Sequence, residues 1–159
     1  MIYHELKISG QPIAQKRHRD ISKNGIQWRY DPSAKDKQNF LKKALSKQNV
    51  AFGSCPTKPY TTALKVSCIF TFEHLKSHFR TGKYKYFLKE NPPFFKVTKP
   101  DIDNLQKFVY DSLNGVFWKD DSVIVESYSY KCYQYVASTK VFIEEANICN
   151  TLDNLPKPF

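Results

Sequence analysis

The chain has 159 residues and carries 25 Lys+Arg against 15 Asp+Glu, a formal net charge of +10. That length suits one domain, and a hydrophobic fraction of 41% with 12 Phe and 10 Tyr supplies enough apolar surface for a core, which excludes intrinsic disorder. No apolar run approaches the roughly 20 residues of a membrane span, and MIYHELKISG alternates where a signal peptide would be continuously apolar, so a soluble cytoplasmic protein is expected.

In chain order, Ile2, His4, Leu6 and Ile8 share one face of a period-2 pattern, the mark of a half-buried strand, which Gly10 and Pro12 end. Gln15-Lys16-Arg17-His18-Arg19 then leads into two short runs joined by Asn24-Gly25, the turn chemistry of a hairpin, here a basic one. Asp31-Pro32 reads as an N-cap followed by a first-turn proline, and Phe40, Leu41, Ala44 and Leu45 at helical spacing predict a helix over Ser33 to Gln48. Leu64, Val66, Cys68, Phe70 and Phe72 alternate with Lys65, Ser67, Ile69, Thr71 and Glu73, a long strand expected inside a sheet. From His74 to Lys99 periodicity fails: seven Lys/Arg and one acid interleave with six Phe and Tyr, and Gly82 and Pro92-Pro93 predict a loop.

Asp103-Asn104-Leu105-Gln106 has the form of a capping box, and Leu105, Phe108, Val109, Ser112 and Leu113 keep the spacing of a buried helical face up to Asn114-Gly115. Val123 to Cys132 and Thr139 to Glu144 read as further strands, and the tail from Ala146 shows no period. Cys55, Cys68, Cys132 and Cys149 lie far apart with no CxxC pair, so reduced thiols are expected.

Charge is unevenly spread: residues 1–99 hold 20 basic and 6 acidic side chains, residues 100–159 hold 5 and 9. A polyanion-binding surface beside an acidic pocket fits this division. The acidic half centres on KPDIDNLQKFVYDSLNGVFWKDD, residues 99–121. In an extended segment Asp101 and Asp103 point to one side and Ile102 to the other, so that the pair can face one cation. Lys107 follows Asp103 by one helical turn. The turn at Asn114-Gly115 would return Asp120-Asp121 toward the helix start if the next strand runs beside the segment ending at Asp103. Carboxylates so gathered repel one another unless a hard divalent cation neutralises them, and Mg²⁺ fits, with Mn²⁺ as the alternative. Such an ion activates water and polarises a phosphodiester, and Lys107 adds charge for the transition state. Structural readings stand beside these: Asp103 as an N-cap, Lys107 as a solvated partner of Asp111, Asp120-Asp121 as a turn, and the 74–99 segment as a solvated insertion. His4, His18, His74 and His78 have no metal-ligand spacing.

KPDIDNLQK, then DSLNGVFWKDD, then Lys131 ten residues beyond Asp121, resembles the core of the RusA family of Holliday junction resolvases; Gly10-Gln11-Pro12 with the basic run at 15–19 is similar to that family's N-terminal pattern. The resemblance implies a small Mg²⁺-dependent homodimeric endonuclease acting on branched DNA, above all the four-way junction, in recombination and repair, of bacterial or phage origin. It matches Asp101, Asp103 and Asp121 to the metal-binding aspartates and Lys107 to the essential lysine, with Asp120 in an adjacent, less critical acidic position. Lys16, Arg17, Arg19, Lys83, Lys85, Lys89 and Lys99 are the expected DNA-backbone contacts. The stretch from His74 to Pro93 is longer than the family pattern.

The expected architecture is therefore one RusA-like α+β domain over residues 1–145, with a mixed sheet, two main helices and a basic aromatic insertion at 74–99, followed by a tail at 146–159. Two rival functions remain open at this point: a non-catalytic nucleic-acid-binding module, and a nuclease of broader branched-DNA specificity.

Overall fold

The structure, a computed structural model, describes residues 2–46, 50–52 and 55–146. Its elements are β1 (Ile2–Ser9), β2 (Arg19–Lys23), β3 (Ile26–Tyr30), α1 (Ala34–Leu45), β4 (Val50–Phe52), β5 (Leu64–Glu73), α2 (Ile102–Leu113), β6 (Ile124–Gln134) and β7 (Ser138–Glu145). Five strands form one sheet in the order β4-β1-β7-β5-β6, and β2-β3 form a separate hairpin. All neighbours in the main sheet are antiparallel except β5 and β6. Parallel strands need a crossover, and α2 with its flanking segments supplies it. The architecture is α+β with a mixed sheet and two helices, as expected.

Period-2 alternation decides which face is covered. Leu6, Val141 and Cys68 meet across β1, β7 and β5, as do Ile8, Thr139 and Phe70, and both rows are buried. Against them α1 contributes Phe40 and Ala44, and α2 contributes Leu105, Phe108, Val109 and Leu113. Phe40 meets Phe108 edge to face, their ring centres 5.5 Å apart. β5 is an interior strand, hydrogen-bonded on both sides.

Three sequence expectations shift. The first helix ends at Leu45, short of Gln48, which lies outside the described residues, and its cap position is Ser33. Asp31 instead accepts the Ser33 N–H at 2.8 Å, a local turn that a short carboxylate makes without a helix. The second helix begins at Ile102 with Asp101 as its cap residue, so Asp103 lies in the first turn and is not the N-cap. Ile102 packs on the core one turn before Leu105, and this extension of the apolar stripe starts the helix two residues early. Gln106 does not close a capping box; its amide goes to Ser127 and to the Tyr110 hydroxyl.

Residues 74–99 are irregular, with two short 3₁₀ turns and an isolated bridge between Phe79 and Leu88. Tyr84, Tyr86 and Phe87 stay exposed there. The tail beyond Ala146 and Cys149 lie outside the described residues. No helix among the described residues is long and apolar enough to cross a membrane.

Candidate active site

The segment entering α2 is held from β6. Phe95 bridges Cys132, the Lys96 N–H donates to the Lys131 carbonyl, and the Tyr133 N–H donates to the Phe94 carbonyl, so residues 94–96 run antiparallel along the outer edge of β6. The Lys131 ammonium then donates to the carbonyls of Thr98 at 2.7 Å and Pro100 at 2.6 Å. It fixes the backbone immediately before Asp101. Farther along the helix the Tyr110 hydroxyl lies 2.8 Å from Ser127 Oγ. Burial pushes the Tyr110 pKa up, against the opposing effect of that hydrogen bond. β6 thus anchors both the entry and the middle of α2. Sequence reasoning had Lys131 only through the family resemblance; its task as a clamp on Thr98 and Pro100 has no signal in spacing.

Asp101 and Asp103 sit at the start of α2 with exposed side chains, and Asp101 spends no carboxylate oxygen on capping the helix. Asp121 opens the 3₁₀ turn Asp121–Val123 that feeds β6 and is also exposed. Its neighbour Asp120 is occupied: its carboxylate accepts the Ser122 N–H at 3.0 Å, and hydrogen bonding to the Ser122 side chain, then to this N–H, lowers its pKa. Among the described residues, Asp101, Asp103 and Asp121 make no ion pair, whereas Asp20, Asp31, Asp36 and Asp111 all do. In a chain of net charge +10, three exposed carboxylates left without a protein cation suit a cation from solution. Among the described residues no three His, Cys, Asp or Glu side chains converge as a metal cluster, so Asp121 does not close a three-carboxylate cage with Asp101 and Asp103. Mg²⁺ does not require one: it binds through one or two carboxylates and keeps waters and phosphate oxygens for the rest. The donor set fits that ion.

Lys107 does not pair with Asp111. Asp111 is taken by Lys37 of α1, whose ammonium lies 2.8 Å from Asp111 and 2.7 Å from Asp31. Burial works against the Lys37 charge, but the two carboxylates outweigh it and raise its pKa; burial likewise opposes the Asp31 charge, and Lys37 with the Ser33 N–H outweighs that and lowers its pKa. Lys107 instead lines a cleft of about 310 Å³ with Gln15, Lys16, Arg17, His18, Arg29 and Asn104. The Gln15 N–H donates to the Asn104 carbonyl at 2.9 Å, which lays the basic run against the first turns of α2. Four cations and a histidine line this cleft and no carboxylate does. An anion is its natural occupant, and the nearby helix N-terminus adds to the attraction.

The two halves of the charge asymmetry therefore meet on α2. Asp103 and Asn104 are consecutive residues, one on the carboxylate side and the other in the cationic cleft. A model of the endodeoxyribonuclease RusA family matches residues 9–144. The chain belongs to the RusA family. It is also 30% identical over 142 residues to the uncharacterized protein YqaN of Bacillus subtilis (strain 168), covering 88% of this chain and 94% of that one. Membership makes this a DNA-cleaving hydrolase family and sets aside the non-catalytic binding module.

Of the expected DNA contacts, Lys16 and Arg17 line the cleft, Lys16 also reaching Asp36 at 3.3 Å. Arg19 lies on β2, outside the cleft lining. Lys83, Lys85, Lys89 and Lys99 are exposed on the 74–99 segment, the first two standing over the rings of Tyr84 and Tyr86. Arg29, His18 and Asn104 are cleft residues that the sequence reading missed. Each is an ordinary surface residue until the fold brings three separate segments together.

Proposed function

We propose that this RusA-family protein is a Mg²⁺-dependent nuclease that resolves four-way DNA junctions by paired phosphodiester cuts, in recombination and repair. The observation that carries the reading is the cationic cleft of Lys16, Arg17, Arg29 and Lys107 opening beside Asp101 and Asp103 on one helix. Asp101 and Asp103 would hold the ion, and Asp121, exposed but apart from that pair in this structure, would join them only in the DNA-bound protein; Mn²⁺ is the alternative ion. When bound, the ion supplies an activated water and charge neutralisation at the scissile phosphate.

The chain's own residues do the rest. Lys16, Arg17 and Arg29 hold the DNA backbone, and Lys107 offers its ammonium to the charge that builds on the phosphate as the attacking oxygen arrives. Lys131, gripping the carbonyls of Thr98 and Pro100, is a positioning residue for Asp101. Cuts in two strands related by a two-fold axis need two such sites, which a C2 homodimer supplies.

A labelled four-way junction, incubated with and without MgCl₂, tests this reading. Wild type is expected to nick it only with the ion, and Asp101→Asn to bind it as well or better without nicking, because repulsion of phosphate falls with the charge. Wild-type nicking by Asp101→Asn would overturn the site assignment. Equal cleavage of flaps and four-way junctions would favour the broader nuclease.

A further inference from the structure

The β2-β3 hairpin lies outside the core: every residue of both strands is exposed. Its register pairs Arg19 with Tyr30, Ile21 with Trp28 and Lys23 with Ile26 on one face, and Asp20 with Arg29 and Ser22 with Gln27 on the other. Arg29 lines the cleft beside Lys107, so the second face looks toward α2 and the first looks away from it. That outward face carries Ile26 at 64% exposure and Trp28 at 44%, with Ile21 and Tyr30 also exposed. A lone two-stranded hairpin is marginal in water, and four large apolar side chains on one of its faces raise the cost of leaving it bare. Such a face is built to be covered.

Charge decides the occupant. Residues 16–30 hold Lys16, Arg17, Arg19, Lys23 and Arg29 against Asp20 alone, and Arg19 and Lys23 share the apolar face with Trp28. A second copy docking the same face onto itself would bring these cations together. A partner that is anionic at its edges and flat and aromatic at its centre satisfies both features, and unstacked nucleobases on a phosphate backbone have that chemistry. We infer that the hairpin is a pin inserted at the branch point of DNA: its Ile21-Trp28 face stacks on unpaired bases while the backbone of the same strand enters the Arg17-Arg29-Lys107 cleft on the other side. This rests on the nuclease reading and deepens it, because it gives the protein a means of telling a branch point from continuous duplex. The 74–99 segment is not needed for it.

The chain has only two tryptophans, and Trp118 is fully buried. Quenching of intrinsic fluorescence by DNA therefore reports on Trp28. In EDTA, wild type is titrated with a four-way junction carrying 2-aminopurine at the crossover and with a duplex of equal length. The expected results are quenching and a 2-aminopurine change with the junction only, and a loss of junction affinity in Trp28→Ala of roughly 5- to 150-fold, as expected for a lost base-stacking contact. Duplex affinity should hold within about twofold, and Trp28→Phe should rescue most of the junction affinity. Unchanged tryptophan and 2-aminopurine signals in wild type, which need no variant, would overturn the inference. So would equal losses on junction and duplex, or a Trp28→Ala defect seen instead as dissociation of a dimer in sedimentation. A parallel nicking assay separates the two readings: wild type that quenches but never cleaves keeps the pin and removes the nuclease, whereas wild type that cleaves while Trp28→Ala binds and cuts normally does the reverse.

Discussion

Lys37 is where the cleft's walls are joined, and replacing it tests the physical argument at a point no active-site chemistry touches. Its ammonium reaches Asp31 at 2.7 Å and Asp111 at 2.8 Å, with only 16% of its side chain exposed. Asp31 in turn accepts the Ser33 N–H and the Gln15 side-chain amide at 3.1 Å, while the Gln15 N–H holds Asn104 of α2. Lys37→Met keeps the apolar stem and leaves two carboxylates facing each other. Breaking a fully buried pair costs about 3–5 kcal/mol and losing an exposed one about 0–1. At this intermediate burial the loss should be about 2 kcal/mol, a fall in Tm of roughly 4–8 °C for a domain of this size.

The pH dependence has a fixed sign. Asp31, with its pKa lowered on folding, contributes stability that is present above the ordinary carboxylate pKa and is lost as pH falls through the folded value. Lys37, with its pKa raised, contributes stability that is present below the ordinary lysine pKa and is lost as pH rises through the folded value. The gap between wild type and Lys37→Met should therefore be widest near neutrality and narrow in acid as pH falls through the lowered folded value of Asp31. Thermal melts by circular dichroism across that range measure it. A variant Tm within about 1 °C of wild type at neutral pH, or a gap that persists in acid, would refute the reasoning.

Lys107→Ala should lower single-turnover nicking by roughly 100-fold or more while reducing the salt slope of junction binding by only about 1, and equal modest losses in both would make Lys107 an ordinary phosphate contact. Asp120→Asn should cost little, because an amide oxygen can still accept the Ser122 N–H, whereas Asp121→Asn should abolish nicking; the same junction assay ranks the two. Neutralising Lys83, Lys85 and Lys89 together should flatten the dependence of log binding constant on log salt by up to about 2.7, and an unchanged slope in anisotropy titrations would mean that the 74–99 segment faces away from DNA.

How far the sequence reveals this molecule depends on the range over which each feature is determined. β1, the hairpin, β5 and the face of α2 are legible because their causes are local: alternation in Leu64–Glu73, Asn24-Gly25 at the turn, and helical spacing from Leu105 to Leu113. Helix starts are less so, since Asp31 and Asp103 both look like caps and the packing of Ile102 on the core decides the second case. The site divides in the same way. Asp101, Asp103 and Lys107 stand within two turns of one helix and can be read as a group, but nothing in their spacing says that Asp111 belongs to Lys37 or that Lys131 grips the carbonyls of Thr98 and Pro100. Those pairings join residues more than 30 positions apart and exist only once α1 lies beside α2 and β6 beside the segment that leads into it.

The hairpin shows both limits at once. Its turn is evident from two residues, yet the fact that separates Arg29 from Trp28, one facing the cleft and the other facing away, depends on the pairing of Ile21 with Trp28. A slip of one residue would exchange the two faces, placing the indole beside Lys107 and the guanidinium in solvent. The strand register thus decides whether this element can offer phosphate contacts on one side and a stacking surface on the other, and Asn24-Gly25, by fixing a two-residue turn, sets that register.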